Sequence, residues 1–488
     1  MENITSFGVL AGVLGLVVLL AVLSNRISTR VLVPAPAFFL VAAAVAVELV
    51  PSLGHALSIE MVQRVVTVAL VVILFDGGMH IGRDRFRQAA GAIVWVGVAG
   101  TFATAGAVAG CAHLLFGLDW RMASLLGAAL APTDPAVVFS VLGRREVTGR
   151  SGVLLEGESG ANDPVGIALL VALLTASGAG LHLLATGLLE FVLQMAVGAV
   201  VGVAGGLALE FFVRRFRLPN EGLYPLRTLA CAFLLYGVAT AGHGSGFLAV
   251  FVAGIVVGGI RAPYQREVER FHGSLASLGE IVAFTVLGLT VSLRTLPDGH
   301  AWQIGLVLAV LLALVVRPLL VGALLLPVRL RRGERFFVLW SGLKGAVPIL
   351  LGTFILSSGL PGTTRVYDIV LVVVVFSVVV QGGLVPWVAR RAGVPMRRTE
   401  PRPWTLGVRL RDEPRGVHHH TVVEGASADG ARLDEIDLGD RGWFSIVRRD
   451  GHLLPVRDDT VLRAGDDVIA HTDPDEDVDP GPLFTGRD

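Results

Sequence analysis

Apolar stretches of about 20 residues recur along residues 1–392, separated by short segments that carry arginine. That length is what a helix needs to cross the hydrocarbon part of a bilayer. The repetition predicts an all-α polytopic membrane protein with about thirteen transmembrane helices. The expected spans are residues 7–24, 32–50, 61–79, 90–116, 121–142, 152–177, 184–212, 226–242, 246–260, 273–293, 302–327, 336–357 and 366–389.

Composition excludes several other classes. Only 16% of the residues are charged and 53% are hydrophobic, whereas a soluble domain carries about 25% charged residues. Soluble enzymes, disordered chains and nucleic-acid-binding proteins therefore do not fit. Cys111 and Cys231 both lie in apolar stretches, so no disulfide framework is predicted. No sequence feature indicates a cofactor.

The zero net charge hides a division of the chain. Residues 404–488 carry 19 acidic and 10 basic side chains, a net charge of −9, which leaves +9 for residues 1–403. We therefore expect a transmembrane domain over 1–392 and a basic, proline-containing linker over 393–404, lying on anionic headgroups. A small α+β domain over 405–472 and a disordered acidic tail over 473–488 are expected to follow.

Arginines are distributed unevenly between the two sets of loops. Eighteen lie in one set and four in the other. Because basic loops stay in the cytoplasm, this bias predicts a cell-membrane protein with its N-terminus outside and its C-terminal domain in the cytoplasm. The four arginines of the outer set are Arg64, Arg121, Arg294 and Arg365.

Ionisable residues also occur deep inside the expected spans, where they are costly and usually functional. At 1.5 Å per residue, Asp134, Asp163 and Lys344 lie roughly 12–15 Å from the cytoplasmic edge, near the midplane. Prolines interrupt the span that contains Asp134, and glycines with Pro348 interrupt the span that contains Lys344. These two spans run in opposite directions, a pattern typical of inverted repeats with two broken, crossing helices.

Broken helices leave dipole ends inside the membrane. Asp134 is expected to neutralise the N-terminal ends and Lys344 the C-terminal ends. Lys344 is the only lysine in the chain. A purely structural role and a direct role in transport both remain open for it, as does an ion pair between Lys344 and Glu158.

Helical spacing sorts the residues of the sixth span. Ser159, Asn162 and Asp163 share one face, and Glu156 lines up with Asp163 two turns nearer the cytoplasm, as an ion entrance would. Glu158 points elsewhere and is expected to pair with Lys344 or Arg317. For Asp163, the alternative to a functional carboxylate is a neutral, hydrogen-bonded core carboxyl.

Two further predictions concern charged residues for which the sequence gives less support for a functional role. Asp76 is either a second entrance residue or a solvated helix end. Glu280 and Arg317 both lie inside the membrane and are expected to form a structural pair.

The motifs Thr133-Asp134-Pro135, Asn162-Asp163 and residues 342–346 follow one another at characteristic spacing. In them the chain resembles the NhaP-type monovalent cation:proton antiporters. The resemblance implies that Asp163 binds an alkali cation and a proton alternately, assisted by Asp134, Thr133 and Ser159. It also implies thirteen spans, a six-helix core and a homodimer. The family usually has arginine at the position of Lys344.

Details of residues 74–79 and 158–164 resemble the potassium/proton antiporter subgroup, and residues 417–472 resemble the RCK C-terminal (TrkA-C) domain. Such domains bind small regulatory ligands, such as cyclic di-AMP or another nucleotide. Residues 418–420 are three histidines; they either bind metal, sense pH, or begin an exposed strand.

The predicted function is electroneutral exchange of K⁺ for H⁺ by alternating access, with Asp163 as the shared site. Na⁺/H⁺ exchange at the same site is the nearest alternative. A cation channel and an intramembrane serine protease, suggested by residues 157–160, are alternatives from other classes.

Overall fold

A computed structural model was analysed. It describes residues 34–50, 53–54, 57–142, 145–147, 149–176, 181–260, 264–292, 300–398, 416–439, 442–450, 452–473 and 480–485. The chain forms two compact units, Met1–Pro401 and Arg402–Asp488. The first is helical and the second contains a β-sheet.

The helical unit is built from apolar helices connected by short loops. In chain order they are α1 (Ala35–Leu49), α2 (Ile59–Val94), α3 (Gly100–Phe116), α4 (Trp120–Leu130), α5 (Pro135–Leu142), α6 (Arg150–Thr175), α7 (Leu181–Arg215), α8 (Leu223–Ala241), α9 (Gly246–Gly258), α10 (Gln265–Gly288), α11 (Ala301–Leu311), α12 (Gly322–Leu324), α13 (Arg332–Trp340), α14 (Ala346–Ser357), α15 (Thr363–Phe376) and α16 (Gly382–Arg391).

Within the described residues, seven helical runs are long and apolar enough to cross a membrane, and three shorter apolar helices accompany them. Each predicted span after the first coincides with a helix or with a broken pair, but the helix at the predicted span 152–177, α6, is not among the ten apolar helices of these two groups. The span at 7–24 lies outside the described residues. The expected all-α membrane fold with a small α+β domain is confirmed.

One expected loop is helical instead. Helix α2 continues through the arginines at 83, 85 and 87, and it changes direction at Gly82, which has φ 64° and ψ 165°. Positive φ strains any residue with a Cβ atom, so glycine permits the bend. A π-helical turn, Trp95–Ala99, then joins α2 to α3.

Two further π-helical segments lie inside spans. Leu312–Val321 connects α11 to α12, and it contains Pro318, which lacks a backbone donor. Ser377–Gln381 connects α15 to α16. Such segments redirect side chains locally and are frequent at functional sites. Both segments supply polar side chains to the region described in the next subsection.

A short antiparallel ribbon joins two distant parts of the helical unit. Strand β1 (Arg145–Val147) lies between α5 and α6, and it pairs with β2 (Met396–Arg398), which follows α16. The expected linker therefore begins with a paired strand. Its residues from 399 to 404 are outside the described residues.

The second unit contains a four-stranded antiparallel sheet in the order β3-β6-β4-β5. The strands are β3 (Val417–Thr421), β4 (Trp443–Arg449), β5 (His452–Leu454) and β6 (Asp467–His471). Asp450 takes a positive φ of 49° at the turn between β4 and β5, as a tight hairpin requires. A small core forms on one face, from Val422, Ala428, Leu433, Val447, Leu462, Val468 and Phe484.

Part of the expected disordered tail is ordered. Residues Gly481–Phe484 form a helical turn, α17, and Phe484 is fully buried. The backbone N–H of Val423 donates to the carbonyl oxygen of Phe484 at 3.0 Å. The sequence-based expectation overlooked one aromatic residue in an acidic segment, and burial of that ring is enough to hold the turn.

Candidate functional site

The first broken helix consists of α4 and α5. Helix α4 ends at Leu130, residues 131–134 are extended, and α5 begins at Pro135. Pro132 and Pro135 remove helical donors there, as expected from the sequence. The Asp134 carboxylate accepts a hydrogen bond from the Ala136 N–H at 2.9 Å and so caps the second half-helix.

The second broken helix consists of α13 and α14, with residues 341–345 between them. Two glycines in this segment permit close contacts. A Cβ atom on Gly342 would overlap the Arg317 guanidinium, and one on Gly345 would overlap Asp134 Oδ2. Asp134 therefore lies against the N-terminal ends of both half-helices, as predicted.

The extended segments of the two broken helices contact each other. The N–H of Asp134 donates to the carbonyl oxygen of Leu343 at 2.8 Å. The ammonium of Lys344 donates to the carbonyl oxygens of Ala131 and Pro132, at 3.0 and 2.9 Å. These carbonyls end α4, so Lys344 caps a helix C-terminus and does not bridge to Glu158.

Arg317 instead donates hydrogen bonds at the C-terminal end of α13. Its Nε donates to the Leu339 carbonyl at 2.9 Å, and its Nη1 lies 2.9 Å from Glu158 Oε1. Glu158 and Arg317 are 3% and 5% exposed. Of the two partners considered for Glu158, Arg317 is the one observed. The expected pair between Glu280 and Arg317 is wrong, because Glu158 occupies the guanidinium.

Helix α6 holds the first extended segment through Thr133. The Asn162 amide donates to Thr133 Oγ1 at 2.7 Å and accepts from the Thr133 N–H at 3.2 Å. The Ser159 hydroxyl donates to the Thr133 carbonyl at 2.6 Å. That geometry gives Ser159 no base to activate it, so the protease alternative receives no support from this contact.

Asp163 lies beside these residues at the middle of α6. It is 7% exposed, and its Oδ1 has no hydrogen-bond partner among the described residues. Asp134, Lys344 and Ser159 all interact with its carboxylate electrostatically or by hydrogen bonding. A buried carboxylate oxygen without a donor is suited to hold a proton or a cation.

The region that surrounds this carboxylate matches known proteins. Residues 14–391 match the sequence profile of a family described as "Sodium/hydrogen exchanger, transmembrane". The chain belongs to the sodium/hydrogen exchanger family. The match covers all the residues around the helix crossing.

Relatives in the exchanger family carry specific names. The chain is 32% identical over 463 residues to the K⁺/H⁺ antiporter NhaP of Alkalimonas amylolytica, covering 94% of this chain and 80% of that protein. It is 33% identical over 405 residues to the K⁺/H⁺ antiporter NhaP2 of Shewanella oneidensis, covering 82% and 70%. The Na⁺/H⁺ antiporter NhaH of Halobacillus dabanensis is 27% identical over 332 residues, covering 65% and 80%.

The fold also matches a solved exchanger structure. The sodium proton antiporter MjNhaP1 of Methanocaldococcus jannaschii aligns with a TM-score of 0.65 and 21% identity, covering 80% of this chain and 99% of that one. At this identity the likeness shows the fold alone.

The two expected entrance residues of this exchanger lie near a histidine that the sequence reasoning missed. Asp76 is in the interior of α2, its side chain is 13% exposed, and its Oδ2 is 3.4 Å from His80 Nδ1. Glu156 interacts electrostatically with His80. Asp76 is therefore not a solvated helix end. A histidine one turn after an intramembrane aspartate was the available signal.

Two polar residues of the third π segment were also missed. The Ser377 hydroxyl accepts from the Lys344 N–H at 2.9 Å, and the Gln381 amide donates to the Trp340 carbonyl at 2.6 Å. Together they satisfy backbone groups that the break in α13–α14 exposes. Polar residues inside an otherwise apolar span were the signal for them.

Among the described residues, no group of histidine, cysteine, aspartate or glutamate side chains is arranged to hold a metal ion. The strand of three histidines has alternating burial, with His419 outward near Asp467 and His420 stacked on Phe484 at 5.0 Å between ring centroids. This arrangement is that of an ordinary strand, and it lends no support to a metal site.

Proposed function

We propose that the protein exchanges K⁺ for H⁺ across the cell membrane by alternating access, with Asp163 as the site shared by both ions. The observation that carries the proposal is the unpartnered, buried oxygen of Asp163 at the crossing of two broken helices. Membership in the exchanger family supports cation/proton antiport as the activity.

Competition at one carboxylate explains the coupling. A proton and a dehydrated cation cannot occupy the Asp163 carboxylate together, so each displaces the other. Oxygen atoms of Ser159, Thr133 and Asp134 lie around the same position, and alkali cations, like other hard cations, prefer oxygen ligands. Only the occupied carboxylate is electrically compensated for movement through the low-dielectric core.

The charges around Asp163 favour one-for-one exchange. Asn162 cannot titrate, and Asp134 is engaged as the cap of a half-helix, where it accepts the Ala136 N–H. One exchangeable site carries either one proton or one monovalent cation. Proton flux in proteoliposomes with a potential-sensitive dye tests this: a dye signal that grows with transport and vanishes in Asp163→Asn would contradict electroneutral exchange.

The preference for K⁺ over Na⁺ rests on the names of two relatives above 30% identity, from Alkalimonas amylolytica and Shewanella oneidensis, both of which are K⁺/H⁺ antiporters. Na⁺/H⁺ exchange at the same site is the second candidate, because the relative from Halobacillus dabanensis bears that name. A channel is less well supported, since the broken helices meet in direct hydrogen bonds around a buried carboxylate.

Purified protein in proteoliposomes with an internal pH dye tests the function. K⁺, Na⁺, Rb⁺ or Li⁺ is added outside, and K⁺ is expected to give the largest proton movement. The control is Glu190→Gln, a carboxylate on α7 that accepts a hydrogen bond from Gln194 at 3.2 Å, away from the site. Absence of proton movement with all four cations in folded protein would refute the proposal.

The proposal includes an orientation and an assembly. The N-terminus lies outside, the C-terminal unit lies in the cytoplasm, and two copies form a homodimer. The bias of eighteen arginines against four supports the orientation. Exposed apolar side chains along α7, such as Val200 and Phe211 at 67% and 65%, face either lipid or a second copy. Light scattering in detergent and cysteine labelling from each side test these two statements.

Regulation by the small cytoplasmic domain completes the proposal, with a nucleotide such as cyclic di-AMP as its ligand. Strand β2 immediately precedes that domain in sequence and pairs with β1, where Glu146 is opposite Arg397. Strand β1 connects α5 to α6. A displacement of β2 would therefore move β1 and, with it, the ends of both helices next to the site. Deletion of residues 404–488 is expected to leave an active exchanger whose response to pH or nucleotide is altered; complete loss of transport in a well-inserted truncation would contradict this.

A further inference from the structure

Glu280, on α10, is a half-buried carboxylate that the mechanism above does not use. Its Oε1 is shielded from solvent and has no hydrogen-bond partner among the described residues. The partner expected from the sequence, Arg317, is occupied by Glu158 at 2.9 Å. A carboxylate in such surroundings is stable only when it holds a proton or a cation.

Glu280 lies on a helix that packs next to the Asp134–Asp163 site. Helix α10 packs against α14, and the N-terminal end of α14 contacts Asp134. Both helices end at the face away from the arginine-rich loops. At 1.5 Å per residue, Glu280 is about 12 Å from the end of α10, whereas Gly345 is about 18 Å from the end of α14. Taking the two helix ends as level, Glu280 lies about 6 Å nearer that face than Gly345, which adjoins Asp134.

Three carboxylates, those of Glu280, Asp134 and Asp163, interact with one another in sequence. Glu280 interacts electrostatically with Asp134, and Asp134 interacts with Asp163. Arg317 is paired with Glu158, and Lys344 interacts electrostatically with Asp163. Asp163, at 7% exposure, also has an unpartnered oxygen. Oxygen-rich, anionic and partly unsatisfied surroundings of this kind fit a cation with its water removed.

We infer that Glu280 is a second cation-binding carboxylate, at which K⁺ or Na⁺ is held between the outer face and the Asp134–Asp163 pair. The inference rests on the proposed exchange function and deepens it. Glu280 returns to the same state after each cycle, so one-for-one exchange is preserved. Its role is to raise the local cation concentration on one side of the site and so to set affinity from that side.

Sided transport measurements test the inference. Right-side-out and inside-out vesicles report the KM for K⁺ from the outer and the cytoplasmic face. Glu280→Gln is expected to raise the outer-face KM by about tenfold or more, the size of effect that loss of one charged contact produces. The cytoplasmic KM is expected to change much less. Glu190→Gln is the matched control, since Glu190 is a half-buried membrane glutamate with its own partner.

A second readout separates ligand binding from a structural role. K⁺ is expected to raise the Tm of the wild-type protein, and Glu280→Gln is expected to reduce that rise, because a bound ligand stabilises the folded state. If Glu280→Gln does not accumulate, Glu280→Asp replaces it, and the retracted carboxylate is expected to raise the outer-face KM several-fold.

The outcomes are distinguishable. Wild-type protein that moves no protons with any alkali cation refutes the proposed function itself. Wild-type exchange with an unchanged outer-face KM in Glu280→Gln, or in Glu280→Asp where that variant replaces it, overturns only the role of Glu280. An equal rise in KM from both faces also overturns it, because it contradicts a position on one side of the site.

Discussion

Two groups of buried charges lie within the same helical unit and differ in how fully they are paired. The paired group consists of Glu158, Arg317 and Lys344, and each of these side chains has a hydrogen-bonded partner. The incompletely paired group consists of Asp163, Asp134 and Glu280. Asp134 accepts a backbone hydrogen bond from Ala136, whereas Asp163 Oδ1 and Glu280 Oε1 have no donor among the described residues. Completed pairing stabilises a fold, whereas an unsatisfied carboxylate leaves a position for a substrate ion.

The strongest test of this contrast is Asp163→Asn. The amide can neither hold a cation as an anion does nor release a proton. Transport is expected to fall to the background of empty liposomes, while the Tm is unchanged or higher, because an isolated buried charge has been removed. A folded variant that exchanges at near-normal rate would remove Asp163 from the mechanism.

The paired group is expected to respond in the opposite way. Arg317→Ala leaves Glu158 buried without its counter-charge, which costs roughly 3–5 kcal/mol. We expect a large loss of folded protein and of Tm, measured by thermal unfolding in detergent. The double variant Glu158→Gln with Arg317→Gln is the control and should recover part of the loss. Full stability of Arg317→Ala with no transport would move this pair into the transport group.

Lys344 sharpens the contrast because it lies between the two groups. Lys344→Arg keeps a cation near the Ala131 and Pro132 carbonyls and is expected to keep substantial exchange. Lys344→Ala leaves those carbonyls unsatisfied, at about 1–3 kcal/mol, and is expected to lower Tm first. An alanine variant with normal Tm and no exchange would instead show a direct role in transport.

The smallest expected change in stability comes from substitution of Asp467, in the second unit. Partial burial opposes its ionisation, but hydrogen bonds from Thr421 and Arg448 and the charges of Arg448 and His419 outweigh burial and hold its pKa below the usual value. A lowered pKa means that the ionised carboxylate stabilises the fold above its unfolded pKa of about 4, and that this stabilisation is lost as pH falls through the lower folded value.

Asp467→Asn is therefore expected to destabilise the sheet by about 1 kcal/mol or less, because the group is partly exposed. Hydrogen exchange of β3 and β6 amides in the full-length protein measures the change. The difference from wild type should shrink as the pH falls below about 4, where the carboxylate is protonated. A difference that grows below that pH would contradict the assignment. Transport is expected to be unaffected.

Much of the helical unit could be predicted because membrane spans are encoded locally. Apolar length locates each helix, and prolines around Asp134 and glycines around Lys344 locate the two breaks. The predictions were wrong where a single residue changed the local structure. The expected loop at Arg83 is helical because Gly82 alone provides the bend. The tail at Phe484 is ordered because one ring enters the core of the small domain.

The sequence alone determined the membrane architecture, the two breaks and the residues of the carboxylate site, because each follows from polarity and spacing within one segment. Only the tertiary structure decided which charges pair. Arg317 is 159 residues from Glu158. By charge and depth, Glu158 and Glu280 were equally eligible partners for Arg317, and Arg317 and Lys344 were equally eligible partners for Glu158. The choice depends on which helices pack together. In that packing Arg317 pairs with Glu158 and Lys344 caps a helix end, while Asp163 Oδ1 and Glu280 Oε1 have no donor among the described residues.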